Sequence, residues 1–522
     1  MTEYKVPEGE GHADQDVKKI QEALDRAAEN GSANEQSVVI LQGTYKINRE
    51  LLIGSYTDLT GNTGAKIVLD DYHPNWMNVD NYYINKINNR GKYGHGTYGL
   101  DYGVITNKDE GLTGVNIYGF EIDGNEMKQN SHAQNGIFWE DNGGGHNCHN
   151  LIKFEGGSDT KRVSNINVHD MHLHDCKGEG LRVTWGNKVN YYNNVGENLQ
   201  HCCVFYIEVK SANIHDNKYF HSSCAAIRLD NCQEITIDHE YITPYRGQTN
   251  YSKYDDVESY SDNGIQISNN GNAKKYKTPT NIIIIKSCDI KSGVCGIHLD
   301  GMNKSDSQKV DIYNNTIHNC GYVDENVTRN GGIAISNWSD GITIRNNIIT
   351  GCCSAGINVD SAMTGSHTMK AIYNNITYGV SGFAIRNKSD PDSNQIMTMT
   401  LDHNYFTHNA GNYNPPTLVH TNNETNPNGL FDDGAIRPEK PDKLWLWDFG
   451  DGITSTEQNP THIYTKAGTY TTKLTVTNKD IADSKNVPII VTEIAPVADE
   501  INQTESLAPL KVTMRFCYSP DV

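Results

Sequence analysis

The chain has 522 residues, a formal net charge of −20 and only 36% hydrophobic residues. That acidity excludes nucleic acid as a partner, because a polyanion is repelled by such a surface, and no apolar run is long enough to cross a bilayer. The opening Met1-Thr2-Glu3-Tyr4-Lys5 lacks the basic and apolar regions of a secretory signal, so either a signal has been removed from this form of the chain or the chain is not secreted; the expected location is extracellular or at the cell surface.

The first element is a helix from Asp16 to Ala28, with Val17, Ile20, Ala23, Leu24 and Ala27 on one face. Its apolar stripe suits the open end of a repeat structure, which must be capped. The stretch from Val38 to Ile47 predicts the first strands, and Val115 to Gly124 a return to regular coils after an aromatic insertion.

A five-residue phrase then recurs: a small residue, then apolar and variable residues in alternation. It begins at Gly180, Val204, Ala226, Gly264, Gly296, Gly332, Gly356 and Gly382. Alternation at a spacing of roughly 22 to 38 residues means one short strand per turn of a solenoid. Between the copies runs a second phrase, in which Asn315, Asn347, Asn375 and Asn404 follow an aliphatic residue three positions earlier. Asn194 and Asn217 align with them, Glu240 and Cys288 less regularly, which predicts an inward asparagine ladder at one corner. The fold class is therefore all-β: a right-handed parallel β-helix.

Two outward columns follow from the phrase. One holds Arg182, Tyr206, Arg228, Gln266 and His298; the other holds Thr184, Glu208, Asp230, Ser268 and Asp300, with Ile137-Phe138-Trp139-Glu140 as an earlier strand. Coils stack about 4.8 Å apart, so these charges fill a strip of roughly 15 to 20 Å, enough for several sugar rings. Trp139, Trp185 and Tyr206 are candidates to stack on sugar faces, and Arg182, Arg228, Gln266 and His298 to hold an anionic substrate. The plain alternative is a solvated face with ion pairs across coils.

Long segments from Asn142 to Asn150 and from Tyr241 to Asn263 suit the walls of a binding site. No cofactor is called for, although Asp255, Asp256 and Glu258 could hold calcium. The 12 cysteines contain no paired C-x-x-C motif, and Cys176, Cys202 and Cys224 precede equivalent strands, which predicts a stack of small reduced thiols.

Toward the C-terminus, Leu444-Trp-Leu-Trp-Asp-Phe-Gly-Asp-Gly452, Asn459-Pro-Thr-His-Ile-Tyr464 and Ala467-Gly-Thr-Tyr-Thr-Thr-Lys-Leu-Thr-Val-Thr-Asn478 resemble a PKD-type β-sandwich module. Such modules are noncatalytic and extracellular. The opening strands expected before the tryptophan are replaced by a linker, and Leu507 to Phe516 has the alternation of a strand that could supply one. The expected domains are a catalytic solenoid over 1–410, a linker over 411–442 and the module over 443–522.

Together the helix, the coils and the module resemble the disaggregatases, parallel β-helix enzymes of methanogenic archaea that cut the methanochondroitin matrix of cell aggregates. The resemblance implies extracellular action on an acidic polysaccharide. The columns themselves favour hydrolysis by Glu208, Asp230 and Asp300, since carboxylates dominate the second one. β-Elimination on uronates, served by Arg182, Arg228, Lys210 and His298, is the alternative, and a noncatalytic glycan-binding adhesin is a third reading.

Overall fold

Residues 2–70, 102–125, 149–176, 178–199, 201–222, 224–243, 263–268, 282–292, 294–301, 309–318, 320, 331–338, 340–352, 355–362, 365–378, 383–387, 394–407, 418–421, 444–455, 461–464, 468–478, 481–491 and 510–513 are described in a computed structural model. Within them each regular coil gives one strand to each of three parallel sheets, of 14, 11 and 12 strands. This is the expected right-handed parallel β-helix. The chain divides into two compact units, Met1–Asp433 and Gly434–Val522.

The solenoid holds together because like side chains stack in register. Along the first sheet Ile235, Ile283, Val310, Ile342, Met369 and Met399 lie one above the next. All are buried, and each fully buried aliphatic side chain contributes about 1.5–3 kcal/mol. The helix Ala13–Asn30 covers the first coil with the expected face of Val17, Ile20, Ala23, Leu24 and Ala27. Asp16 on that face is also buried; its carboxylate accepts hydrogen bonds from the backbone N–H of Glu10 at 2.8 Å and of Lys46 at 3.0 Å. One strand was not anticipated: Thr2–Val6 pairs in parallel with Ser37–Leu41 and extends the first sheet beyond the helix.

The asparagine ladder is real, and its register corrects the sequence at one rung. Asn347 donates from its backbone N–H and from Nδ2 to Asn374 Oδ1, both at 3.0 Å, and its own Oδ1 accepts the same pair from Asn315. Asn374, not Asn375, is the rung, because Ala371 rather than Ile372 stands opposite Ile344. Asn404 continues the ladder, and Asn194 and Asn217 form a second run that ends on Glu240. The residue before each rung takes the left-handed conformation, with φ of 60° at Asn193, 57° at Asn314, 54° at Asn346 and 55° at Tyr373. The doublets Asn193-Asn194, Asn314-Asn315 and Asn346-Asn347 thus divide two tasks: the first turns the corner, where asparagine is better tolerated than most residues, and the second bonds neighbouring coils; at Asn374 the corner residue is Tyr373.

The outer face of the first sheet carries a stack of Tyr118, His169, Tyr192 and His215, with centroids 4.6 to 4.9 Å apart. Nine described cysteines are free and buried. They do not form one column: Cys176 lies in the solenoid core, whereas Cys202 and Cys224 cluster with Phe205 on the outside of the second sheet.

Leu418–Thr421, in the segment read as a linker, pairs with Met399–Asp402 as the last strand of the first sheet. In the second unit, Leu444–Asp448 and Gly468–Asn478 form an antiparallel sheet with Ile481–Val491. Trp447, Phe449, Tyr464 and Leu474 make its core, and the Tyr464 hydroxyl donates to the Phe449 carbonyl at 3.1 Å. Gly450 and Gly452 have φ of 80° and 89°, which the turn after Asp448 requires. Leu510–Thr513 pairs antiparallel with Thr461–Tyr464.

Candidate functional site

One sheet differs from the others in how its outside is treated. On the first sheet, strand Glu234–Asp238 alternates between buried and accessible residues, as a solvated face should. On the second sheet every residue of Cys202–Ile207, Asn263–Ser268, Cys295–Asp300 and Gly331–Ser336 is buried, on both faces. The side chains withdrawn there include charged ones, and buried charge is retained only where it is paired.

Strand pairing defines the columns. The first reads Lys153, Arg182, Phe205, Arg228, Gln266, His298, Ala334, Asn358 and Arg386. The second reads Glu155, Thr184, Ile207, Asp230, Ser268, Asp300 and Ser336. Arg182, Arg228, Gln266 and His298 therefore share a column as expected, and Asp230 and Asp300 share the next, two coils apart.

Three expectations need correction. Tyr206 pairs with Val183 and Leu229 and points into the core, fully buried; Phe205 takes the outward place beside Arg182 and Arg228. The phrase was started at Val204, but Cys203 is the small residue that stands in the place of Gly180, so the alignment slipped by one, and a slip of one exchanges the faces of a strand. For the same reason Ile207, not Glu208, is opposite Asp230. Glu208 instead occupies the left-handed corner after the strand, with φ of 57°, as does Trp185 one coil earlier. Arg162 holds that corner: it donates to the carbonyl oxygens of Glu208 and Gly186, and its guanidinium carbon lies 5.3 Å from the Trp185 ring centroid. Third, the strand preceding Arg182 in register is His149–Glu155, whose Lys153 and Glu155 lie 3.7 Å apart. Trp139 and the Asp255, Asp256 and Glu258 group lie outside the described residues.

The charged groups are tied together. Arg228 binds Asp230 with two prongs, Nε to Oδ1 at 3.0 Å and Nη2 to Oδ2 at 3.2 Å. The Arg182 and Arg228 guanidinium carbons lie 5.2 and 4.9 Å from the Phe205 ring centroid. Glu179, almost wholly buried, takes His201 Nδ1 at 2.7 Å and lies 3.5 Å from Arg182 Nη1. Burial works against a charged His201 ring, but the charge and hydrogen bond of Cys224, followed by those of Glu179, outweigh it and raise the ring to about 9. A hydrogen bond from Cys202 holds the Cys224 thiol well below its ordinary range, with burial opposing and His201 and Arg228 assisting. His201, Cys202 and Cys224 bring three ligand atoms within 4.8 Å of one another.

At the corner, burial pushes the Glu208 carboxyl up to about 8, against the Arg162 charge. In the next coils Gln266 Nε2 donates to Ser268 Oγ at 3.1 Å, and His298 Nε2 is 3.4 Å from Ser336 Oγ. Glu179, His201, Phe205 and Cys224 were missed in the sequence. For Glu179, His201 and Cys224 the only signal was their place just ahead of the strands Leu181–Thr184, Cys202–Ile207 and Ala225–Asp230, whereas Phe205 lies within its strand and was set on the wrong face by the slip of one.

Over residues 412–491 the chain matches the PKD domain family. Collagenase ColA of Bacillus cereus is 39% identical over 71 residues, which is 14% of this chain; the chain spans 7% of that collagenase's length. Among solved structures, the A-module of the mannuronan C-5 epimerase AlgE6 from Azotobacter vinelandii is similar with a TM-score of 0.57 and 12% identity, over 80% of this chain and 98% of that one. The A-module of AlgE4 from the same organism is similar with a TM-score of 0.55 and 12% identity, over 80% and 99%. At this identity the likeness concerns the fold: a right-handed parallel β-helix, followed here by a PKD-like module.

Proposed function

We propose that the solenoid is an extracellular enzyme of acidic polysaccharides that removes the proton α to the carboxylate of a uronate, leading to β-elimination. The carrying observation is the covered outer face of the second sheet, where Arg182, Arg228 and His298 share one column beside Asp230 and Asp300. Proton loss beside a carboxylate needs a cation to neutralise the developing charge and a base at the carbon. Arg182 and Arg228 supply the cations over the Phe205 ring, and Asp230 orients Arg228. His298, two coils further along, is the base, taking the C5 proton; the electron pair forms the C4–C5 double bond, the C4–O bond breaks, and the leaving oxygen takes a proton from water, while His298 returns its proton to solvent. The likeness to epimerase A-modules supports this chemistry over hydrolysis, since C-5 inversion also begins with loss of the C5 proton. As substrate we infer a methanochondroitin-like matrix polymer, the class implied by the resemblance to disaggregatases of methanogens.

Hydrolysis is a second reading, favoured by one observation: a carboxyl raised to about 8, as at Glu208, is the protonated acid that a glycosidase needs. Incubation with uronate polymers in D2O separates the possibilities. Reducing ends together with unsaturated-uronate absorbance support elimination; reducing ends without it mean hydrolysis; deuterium at C5 with no new ends means epimerisation. Absence of all three on a panel of acidic glycans overturns an enzymatic role.

A further inference from the structure

We propose that His201, Cys202 and Cys224 form a binding site for a thiophilic divalent cation, zinc, on the outer face of the second sheet. Two thiols and an imidazole are soft and borderline donors, a set that selects zinc over calcium or magnesium, whose ligands are oxygen. Their ligand atoms already lie within 4.8 Å of one another. The ladder of strands explains why: Cys202 is opposite Ala225, so Cys224 stands on the next coil one residue earlier, about 4.8 Å along the axis. The backbone N–H of Cys224 donates to the His201 carbonyl at 3.0 Å, which fixes the third donor beside the second.

Glu179 is the independent indication. Its carboxylate, almost wholly buried, takes His201 Nδ1 at 2.7 Å, the arrangement in which a carboxylate orients a metal-binding imidazole and makes the other nitrogen, Nε2, the better ligand. Arg228 Nη1 lies 3.8 Å from Cys224 Sγ and would offset thiolate charge from outside the ligand shell. Two thiolates and a neutral imidazole balance the charge of the ion, so binding releases a proton from each ligand atom that carries one, the imidazole included. Three protein donors leave a fourth position, which water or an anionic oxygen can fill. Beside Arg182, Phe205 and Arg228 that position would serve a sugar carboxylate, a role that rests on the uronate reading; the metal site itself does not.

The test uses the full chain, reduced, stripped by chelator and titrated with Co2+ and then Zn2+. A single ion per chain, intense thiolate-to-cobalt charge transfer, d–d bands of tetrahedral strength and displacement by Zn2+ are expected. Cys202→Ser and Cys224→Ser should each weaken binding at least about 100-fold and lose charge-transfer intensity, whereas Glu179→Gln should cost about 10-fold with the spectrum kept, in the range for groups that orient a ligand. Cys232→Ser is the control and should bind as wild type; a melting curve for each variant shows that the coil has folded. No cobalt charge transfer, a Cys202–Cys224 disulfide that persists under reductant, or equal affinity in Cys224→Ser and Cys232→Ser overturns the site. Tight zinc binding without activity on any uronate polymer overturns the uronate reading and leaves the metal site standing; activity without zinc binding does the reverse.

Discussion

Arg228 and Asp230 stand two residues apart on one strand and meet in a two-pronged ion pair, with distances of 3.0 and 3.2 Å. Residues at i and i+2 of a strand share a face, so the pair is built within a single coil and needs no neighbour to form. It fixes the guanidinium plane and leaves Nη1 pointed along the site toward Cys224.

The first prediction is that this geometry, and not charge alone, matters for turnover. Arg228→Lys keeps the cation and removes the fork, and Asp230→Asn keeps the shape and removes the anion. Each should lower kcat/KM on a uronate polymer by about 10- to 100-fold, the equivalent of one charge-assisted hydrogen bond, with little change in melting temperature for the lysine variant. Wild-type kinetics in both would remove the pair from the site.

The one-residue register at Phe205 gives a second prediction. The Tyr206 hydroxyl is buried with no hydrogen-bond partner among the described residues, so Tyr206→Phe relieves an unmet polar group and should leave stability unchanged or raised and activity unaltered. Phe205→Ala, by contrast, removes the surface between two guanidinium groups and should raise KM. Isothermal titration with an acidic oligosaccharide distinguishes them; loss of binding in Tyr206→Phe would restore the sequence alignment.

A third prediction concerns pH. Burial raises Glu240 from its ordinary 4.5 to about 8, with bonds from Tyr219 and Asn217 opposing, and raises Glu208 to about 8. In both cases the folded state holds a proton that the unfolded state has already lost, so stability declines as pH rises from about 4.5 and stops declining near pH 8. Glu240→Asn would place an amide where the ladder has a carboxyl, and its advantage over wild type should grow across that window, reaching a few kcal/mol at the upper end. Calorimetric melting at several pH values checks the slope. Parallel wild-type and Glu240→Asn curves would show that Glu240 does not titrate there.

Glu208→Gln also separates the two chemistries. If elimination by His298 is right, Glu208→Gln keeps its activity and gains stability above about pH 5; if hydrolysis is right, it loses turnover by several orders of magnitude. The readout is the rate of new reducing ends beside the melting temperature.

In the second unit the antiparallel pairing of Leu510–Thr513 with Thr461–Tyr464 predicts the effect of a truncation. Ending the chain after Ser506 should abolish the cooperative melting of the module, because the strand Thr461–Tyr464 loses its hydrogen-bonded partner, while the solenoid transition and its activity stay. A module that melts unchanged would mean the strand is dispensable.

The solenoid and its ladder were legible because they repeat: the period-two phrase at Ile227, Ile265 and Ile297 recurs in the same phase, and repetition averages out local noise; the cap, which occurs once, was legible from its helical apolar stripe. The two outward columns were legible where the phrase was regular, at Arg228, Gln266, His298, Asp230 and Asp300. It failed at Val204, where Cys202-Cys203-Val204-Phe205 offers four consecutive apolar residues and no alternation to fix the phase. Glu179 and His201 escaped for another reason: they precede the strands, and nothing in a linear pattern says that a residue 22 positions on will meet them across a coil.

The ladder has a consequence for how such a molecule changes over generations. Each amide gives to the coil on one side what it takes from the other, so a gene segment encoding a whole coil can be copied or lost without creating a new kind of joint. The number of coils is then free to vary. Glu240 and Cys288 interrupt that symmetry, and a duplication across them would set unlike partners side by side; the segment between Asn217 and Asn315, which carries Arg228, Asp230 and His298, is thereby the stretch whose order inheritance is least free to shuffle.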